Sequence, residues 1–336
     1  MAGKGKARRR LLREILYLQE ETTPGVPIDI EALQEYLDDL TAIRAIIYDD
    51  LHEMEQMNFG IRHEKNGHYY YDRQSFTQGE LALMIDLVCC AGYPDAESAE
   101  KLILHIKQMG NNEQFQHLSD QTNLALRNKP NNPECIRNTD MIHEAIREAQ
   151  KIRFQYGHTN MEGKTIADKE YTLSPYQLIW NSSHLYVIGG YEQGKHIQLR
   201  NFRVDRIMSL SILPQKLLKL PRDNSFYSAK LHGFDAERYL KATFDMYNAA
   251  DGKVVRVTFS VVKYLVGPMI DLFGENIRLK ELDEEHMQFT AEVQVTNMFF
   301  GWLAKFTYDQ LHILLPSELS RKYCDHLEEI LGQYSK

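Results

Sequence analysis

"HIQLRNFRVDRI", residues 196–207, decides the reading of this chain. It alternates apolar and polar residues as a half-buried strand does, and sets Arg200, Arg203 and Arg206 at three-residue intervals around Phe202, Val204 and Ile207. A guanidinium is costly to bury without a partner, and Asp205 is the one acid in the stretch. Asp205 cannot neutralise all three, so at least one guanidinium is left without a local partner. Arg206, next to Asp205, is expected to make the fold-holding ion pair.

Outward from this stretch the pattern stays strand-like. "KIRFQY" (151–156), "KEYTLSPYQLIW" (169–180), "HLYVIGGYE" (184–192), "HIQLRNFRV" (196–204) and "IMSLSILP" (207–214) are aromatic or β-branched runs separated by polar turns. Five short strands in about 60 residues predict a small antiparallel barrel of the Sm or SH3 type. Toward the C-terminus, "KVVRVTFS", "VVKYLVGPMIDLFG", "IRLKEL", "MQFTAEVQV", "NMFFGWLAKFT" and "LHILLP" read in the order βαββαβ, which is ferredoxin-like.

Toward the N-terminus the period is helical. "RRRLLREILYLQEE" predicts an amphipathic helix with Leu11, Leu12, Ile15, Leu16 and Leu18 on its apolar side. Asp29 caps a second helix. Thr41 opens a third, whose inward face is Ile43, Ile47, Leu51 and Met54. An Asn66-Gly67 turn between two strand-like runs marks a hairpin. Three short helices and a hairpin are the order of a winged helix-turn-helix, whose third helix enters the major groove. On that geometry Arg44 reaches a base, Thr41 and Tyr48 hold phosphates, Arg62 and Lys65 on the hairpin follow the backbone, and Arg9 and Arg10 belong to a basic arm. Asp49 and Asp50 oppose this unless paired or turned away. Between the two halves, Thr77 and Glu80 form a capping box, a further helix covers "AESAEKLILHIKQM", and Thr139 or Asp140 caps one more.

The 336 residues suggest several domains: 1–75 winged helix-turn-helix, 76–138 helical linker, 139–215 barrel, 216–250 connector and 251–336 ferredoxin-like, a multidomain α+β chain. The net charge of −8 with a basic N-terminus fits binding to DNA through one face. The four cysteines lack metal-ligand spacing, and neither a secretory leader nor a membrane-spanning run is read, so a cytoplasmic protein is expected. No nucleotide-loop, metalloprotease or nucleophile-elbow motif occurs, so no enzyme and no cofactor are expected.

"SPYQLIWNSSHLYVIGGYE…IQLRNFRVDRI" resembles the WYL-domain family of bacterial regulators. The naming triplet is altered to Leu185-Tyr186-Val187, whereas Arg200 through Ile207 is close to the family pattern. "IYDDLHEME" (47–55) is similar to the family's helix-turn-helix run, with Asp49 where arginine is common. The C-terminal part resembles the extension found after WYL domains, including Phe273-Gly274 and Trp302-Leu303. The resemblance implies a homodimeric regulator that binds double-stranded DNA and senses a nucleotide or single-stranded nucleic acid. It implies a pocket in which Arg200, Arg203 and Arg206 hold phosphate, Arg200 and Arg203 foremost, and Tyr176, Tyr186 and Phe202 stack on bases. Two other readings stand beside it: a nucleic-acid-responsive accessory protein that modulates a partner enzyme or defence system, and an architectural dimer whose arginines only pair with acids.

Overall fold

The computed structural model describes residues 2–23, 25–37, 43–72, 76–110, 129–161, 165–194, 196–249 and 252–335. The chain divides into two units, Met1–Pro130 and Asn131–Lys336.

The first unit begins with α1 (Ala2–Glu21), α2 (Ile30–Tyr36), α3 (Arg44–Gln56) and the antiparallel pair β1 (Ile61–His63) and β2 (Tyr69–Tyr71). Leu18, Leu33, Leu37, Ile47, Leu51 and Met54 are almost wholly buried in one core. Asp29 caps α2 by accepting from the Ala32 N–H. Thr41 lies outside the described residues; the residue before α3 is Ile43, whose side chain makes no cap and is 62% exposed. The inward stripe of α3 therefore starts one turn later than the sequence predicts, at Ile47. Leu12 and Leu16 on α1 also face solvent, because the helical step turns them away from the line through Leu11, Ile15 and Leu18. The hairpin closes as expected, with Gly67 at a φ of +81°. Ile28 bonds to Tyr69 in both directions and ties the entrance of α2 to the hairpin.

Two more helices follow, α4 (Gln78–Cys90) and α5 (Ala96–Lys107). The Thr77–Glu80 capping box is present and Asp95 caps α5. Leu81, Ile85, Ile103 and Ile106 pack between them.

The second unit opens with α6 (Cys135–Arg147). It starts a turn before Thr139 and Asp140, so neither residue caps it; the Thr139 hydroxyl donates back to the Cys135 carbonyl inside the helix. Cys135, fully buried, extends the apolar stripe backward, and that extra turn of packing outweighs the local capping preference. Then come β3 (Gln150–Thr159), β4 (Thr165–Asn181), β5 (His184–Gln193), β6 (His196–Arg203) and β7 (Ile207–Lys216). They form one antiparallel sheet of order β6-β5-β4-β3-β7. The long β4 pairs with β3 over its first half and with β5 over its second.

Amide side chains cover both outer strands. Asn132 donates to the carbonyls of Asp205 and Ile207, and Asn138 to Ile207, at the start of β7. On β6, Asn248 donates to the Leu199 carbonyl and Asn201 reaches out to Met246. The sheet also needs Gly189 and Gly190. A Cβ at Gly189 would lie 2.5 Å from the Ser174 carbonyl oxygen, and one at Gly190 would meet the Tyr176 ring.

The stretch 216–250 is more than a connector. It holds β8 (Tyr227–Ser228), β9 (Gly233–Phe234) and α7 (Ala236–Ala242), and it buries Phe226, Tyr239 and Met246 against Ile179, Ile188 and Leu199 of the sheet. Last come β10 (Val255–Val262), α8 (Val266–Phe273), β11 (Lys280–Glu281), β12 (His286–Val293), α9 (Asn297–Leu303), β13 (Leu311–Leu315) and α10 (Ser317–Tyr334). The sheet order is β11-β12-β10-β13, every neighbour antiparallel. Pro268 is tolerated in α8 because it sits in the first turn, where its missing N–H has no intrahelical partner. Gly274, at a φ of +90°, ends that helix. The molecule is thus multidomain α+β, with helices and several antiparallel sheets.

Candidate functional site

The strand period and the register of β5 against β6 sort the sequence-predicted effector residues onto two faces. Arg203 lies opposite Tyr186, and Arg200 opposite Gly189. Since side chains alternate, Arg200 and Phe202 share one face with Gln198 and Tyr191, while Arg203 shares the other with Asn201 and Tyr186. The six residues do not form one pocket.

On the first face the Arg200 guanidinium lies over the Tyr191 ring, 4.5 Å from its centroid. Its Nε and Nη2 both reach Gln198 Oε1 at 3.3 Å, and no carboxylate pairs with it among the described residues. Tyr191 meets Tyr171 edge to face at 5.8 Å, and the Lys169 ammonium sits 5.4 Å from the Tyr171 ring centre. Lys169, Tyr171, Tyr191 and Arg200 make a run of cation, aromatic, aromatic, cation across β4, β5 and β6. Both tyrosines and Arg200 are half-buried, so the run remains within reach of solvent. Phe202 lies beneath it, 4% exposed and packed on Phe154, Tyr156 and Tyr171. It is core support and not a stacking platform.

On the other face Tyr176 packs into the core with Phe234 and donates to the Leu218 carbonyl at 2.8 Å; burial pushes its phenol well above the ordinary value. That makes it a structural tyrosine. Arg203 gives a two-pronged bond to the buried Asp205 carboxylate, at 3.0 and 2.8 Å. The expected division of roles is reversed: Arg203 holds the turn after β6, and Arg206 has no hydrogen-bond or ion-pair partner among the described residues. Backbone directions explain the reversal, because residues 204–206 form a single tight turn that swings Asp205 back toward the end of the strand. Burial raises the phenols of Tyr156 and Tyr186, and the charges of Arg203 and Arg206 pull both back down.

Sequence reasoning missed Lys169, Tyr171, Tyr191 and Gln198. The signal was present in the two-residue period: Lys169 and Tyr171 in "KEYTL", and Tyr191 after the Gly-Gly pair, fall on one face once Arg200 is placed.

In the first unit, Arg9 is exposed without an ion-pair partner among the described residues. Arg10 is 9% exposed and donates twice to Asp50, at 2.9 and 2.7 Å, so it is not part of a free basic arm. Asp50 is thereby paired, whereas Asp49 is exposed. Arg44 forms a surface ion pair with Glu31 at 2.5 Å. Tyr48, half exposed, stacks parallel to His52. Arg62 donates to the Ile61 carbonyl and to Asn58, and Lys65 stands exposed at the hairpin turn. Among the described residues no helix is long and apolar enough to cross a membrane.

The WYL domain family model matches residues 137–212, which cover α6 and the strands β3 to most of β7. This segment is a WYL domain. No curated protein matches the chain. Among solved structures, the chain is similar to the proteasome accessory factor B/C of Arthrobacter aurescens, at 18% identity and a TM-score of 0.28. That match covers 98% of this chain and 49% of the factor, so the chain spans about half the length of that protein. It is also similar to a CRISPR Cas-related protein, at 14% identity and a TM-score of 0.34, over 78% of this chain and 72% of the other.

Proposed function

We propose that this chain is a non-catalytic, cytoplasmic transcription regulator whose WYL domain senses a nucleotide or single-stranded nucleic acid. In this reading residues 1–75 are a winged helix-turn-helix for double-stranded DNA, the five-stranded sheet is a small Sm-like barrel, residues 251–336 are a ferredoxin-like extension, and the active species is a homodimer. One observation carries the effector assignment: the run Lys169, Tyr171, Tyr191 and Arg200, ending in an arginine without a carboxylate partner among the described residues. Cations spaced by aromatic rings suit a chain of phosphates and bases, since guanidinium and ammonium attract phosphate while tyrosine rings stack on any base. Arg206 is a further phosphate candidate.

The test is binding of a fluorescent single-stranded oligonucleotide across a salt series, with Arg200→Ala, Tyr191→Ala and Arg206→Ala. Stacking on one tyrosine is worth about 1–3 kcal/mol, so Tyr191→Ala is expected to weaken binding by roughly 5- to 150-fold. Unchanged affinity in both Arg200→Ala and Tyr191→Ala would remove this face as the site.

A second reading is supported by the first unit. Arg10 and Arg44 are both held by acids and Asp49 is exposed, which weakens the case for specific duplex reading. The chain is then an accessory protein that responds to nucleic acid and modulates a partner enzyme or defence system. Duplex binding separates the two: a selective site lost in Arg44→Ala supports the regulator, and indifference to sequence supports the accessory protein.

A further inference from the structure

Glu14 on α1 is completely buried, and neither of its carboxyl oxygens has a hydrogen bond. Its charged neighbours are Arg10, one turn earlier on the same helix, and Asp50 on α3. The other elements packed against α1 contribute Leu33 and Leu37 from α2 and the rings of Tyr69 and Tyr71 from the hairpin. Arg10 directs Nε and Nη2 to Asp50 Oδ2, while its nearest approach to Glu14 is 3.4 Å. One guanidinium therefore faces two carboxyl groups, hydrogen-bonded to Asp50 and in a longer ion pair with Glu14. With Arg10 and Asp50 both charged the cluster is neutral, and a third charge there would be buried uncompensated.

We propose that Glu14, Arg10 and Asp50 form a proton-gated clip between α1 and α3, closed while Glu14 carries its proton and loosened when Glu14 ionises. Burial, and then the Asp50 charge, push the Glu14 carboxyl up to about 8 against the pull of Arg10. Between its ordinary value of 4.5 and about 8 the folded protein holds a proton that the opened one releases, so opening becomes easier as pH rises through that window. Above about 8 the folded form ionises too and the effect levels off. The functional output rests on the reading of α3 as the DNA-facing helix; the clip itself does not.

The test is amide hydrogen exchange of the full chain at pH 6 and pH 9, normalised to intrinsic exchange, in wild type, Glu14→Gln and Glu14→Met. In wild type the opening of α1 and α3 is expected to increase roughly 100-fold between the two pH values, and to stay flat in either uncharged variant. Two variants of different polarity keep the test intact should one fold poorly. An equal slope in wild type and both variants overturns the clip. Duplex binding at the same pH values tests the output. If the clip opens but wild-type binding follows the Glu14→Gln profile, the DNA-facing assignment of α3 fails while the clip stands.

Discussion

Replacing Arg203 and replacing Arg200 should damage different things. Arg203 makes two short bonds to Asp205, whose side chain is 5% exposed, while the Arg203 side chain itself is 22% exposed. Arg203→Ala leaves a buried carboxylate with its strongest partner gone, and breaking such a pair costs about 3–5 kcal/mol. The partial exposure of Arg203 favours the lower end, about 3 kcal/mol. For a unit of about 200 residues that lowers the melting temperature by roughly 6–12 °C. Among the described residues Arg200 has only the Tyr191 ring and two long bonds to Gln198, worth about 0.5–1 kcal/mol at a half-exposed site. Both tryptophans, Trp180 and Trp302, lie in the second unit, so intrinsic fluorescence in a urea or thermal melt follows that unit. Arg203→Ala should shift the transition strongly, and the further change Asp205→Ala should recover part of the loss. Arg200→Ala should lower the melting temperature by only about 1–4 °C yet lose oligonucleotide affinity. Equal melts for wild type and Arg203→Ala, or a larger shift for Arg200→Ala, would refute the assignment of one arginine to the fold and the other to the ligand.

Tyr176→Phe removes the bond to the Leu218 carbonyl and should cost about 1 kcal/mol in the same melt, with oligonucleotide binding unchanged. Gly189→Ala forces a methyl group against the Ser174 carbonyl and Leu173, and should destabilise the second unit by about 1–3 kcal/mol, read from its urea midpoint. His286 places Nδ1 on the Asp283 carboxylate and Nε2 on the Asp309 carbonyl, and these two acceptors, Asp283 first, raise its pKa above 6.5. The charged ring therefore stabilises the fold fully below pH 6.5 and less as pH rises through the folded value. The tryptophan-monitored melting temperature should fall between pH 6 and pH 9, and His286→Gln should flatten that fall.

The order of elements was legible almost everywhere, because amphipathic helices and alternating strands carry their period in the sequence. Asp29, the Thr77–Glu80 box and the Gly67 turn work through atoms a few residues apart, and all three are present as read. Thr139 shows where local rules give way, since a buried Cys135 extends its helix past the capping signal. The stretch 216–250 reads as a connector because its apolar residues, Phe226, Tyr239 and Met246, follow no regular period; they are spaced to fit a sheet made elsewhere in the chain. For the candidate site, the sequence offers residue types and not their partners. Arginines and tyrosines were found, yet which arginine meets Asp205 depends on one tight turn, and which tyrosines meet Arg200 depends on strand register. Neither is written in the residues concerned.

The amide covers on the five-stranded sheet bear on how this protein behaves in concentrated solution. An outer strand with free N–H and C=O groups is a template for another copy, and the usual guards are charge, proline or a bulge. Here Asn132 and Asn138 hold carbonyls at one margin, and Asn248 holds one at the other. Asparagine guards differ in lifetime: slow loss of the amide to a carboxylate turns a donor into an acceptor facing a carbonyl, and Pro133 after Asn132 and the helix around the buried Asn138 resist that loss, which leaves Asn248 as the weak point. Ageing of a stored sample should therefore show first as sheet-to-sheet association, before any loss of helix.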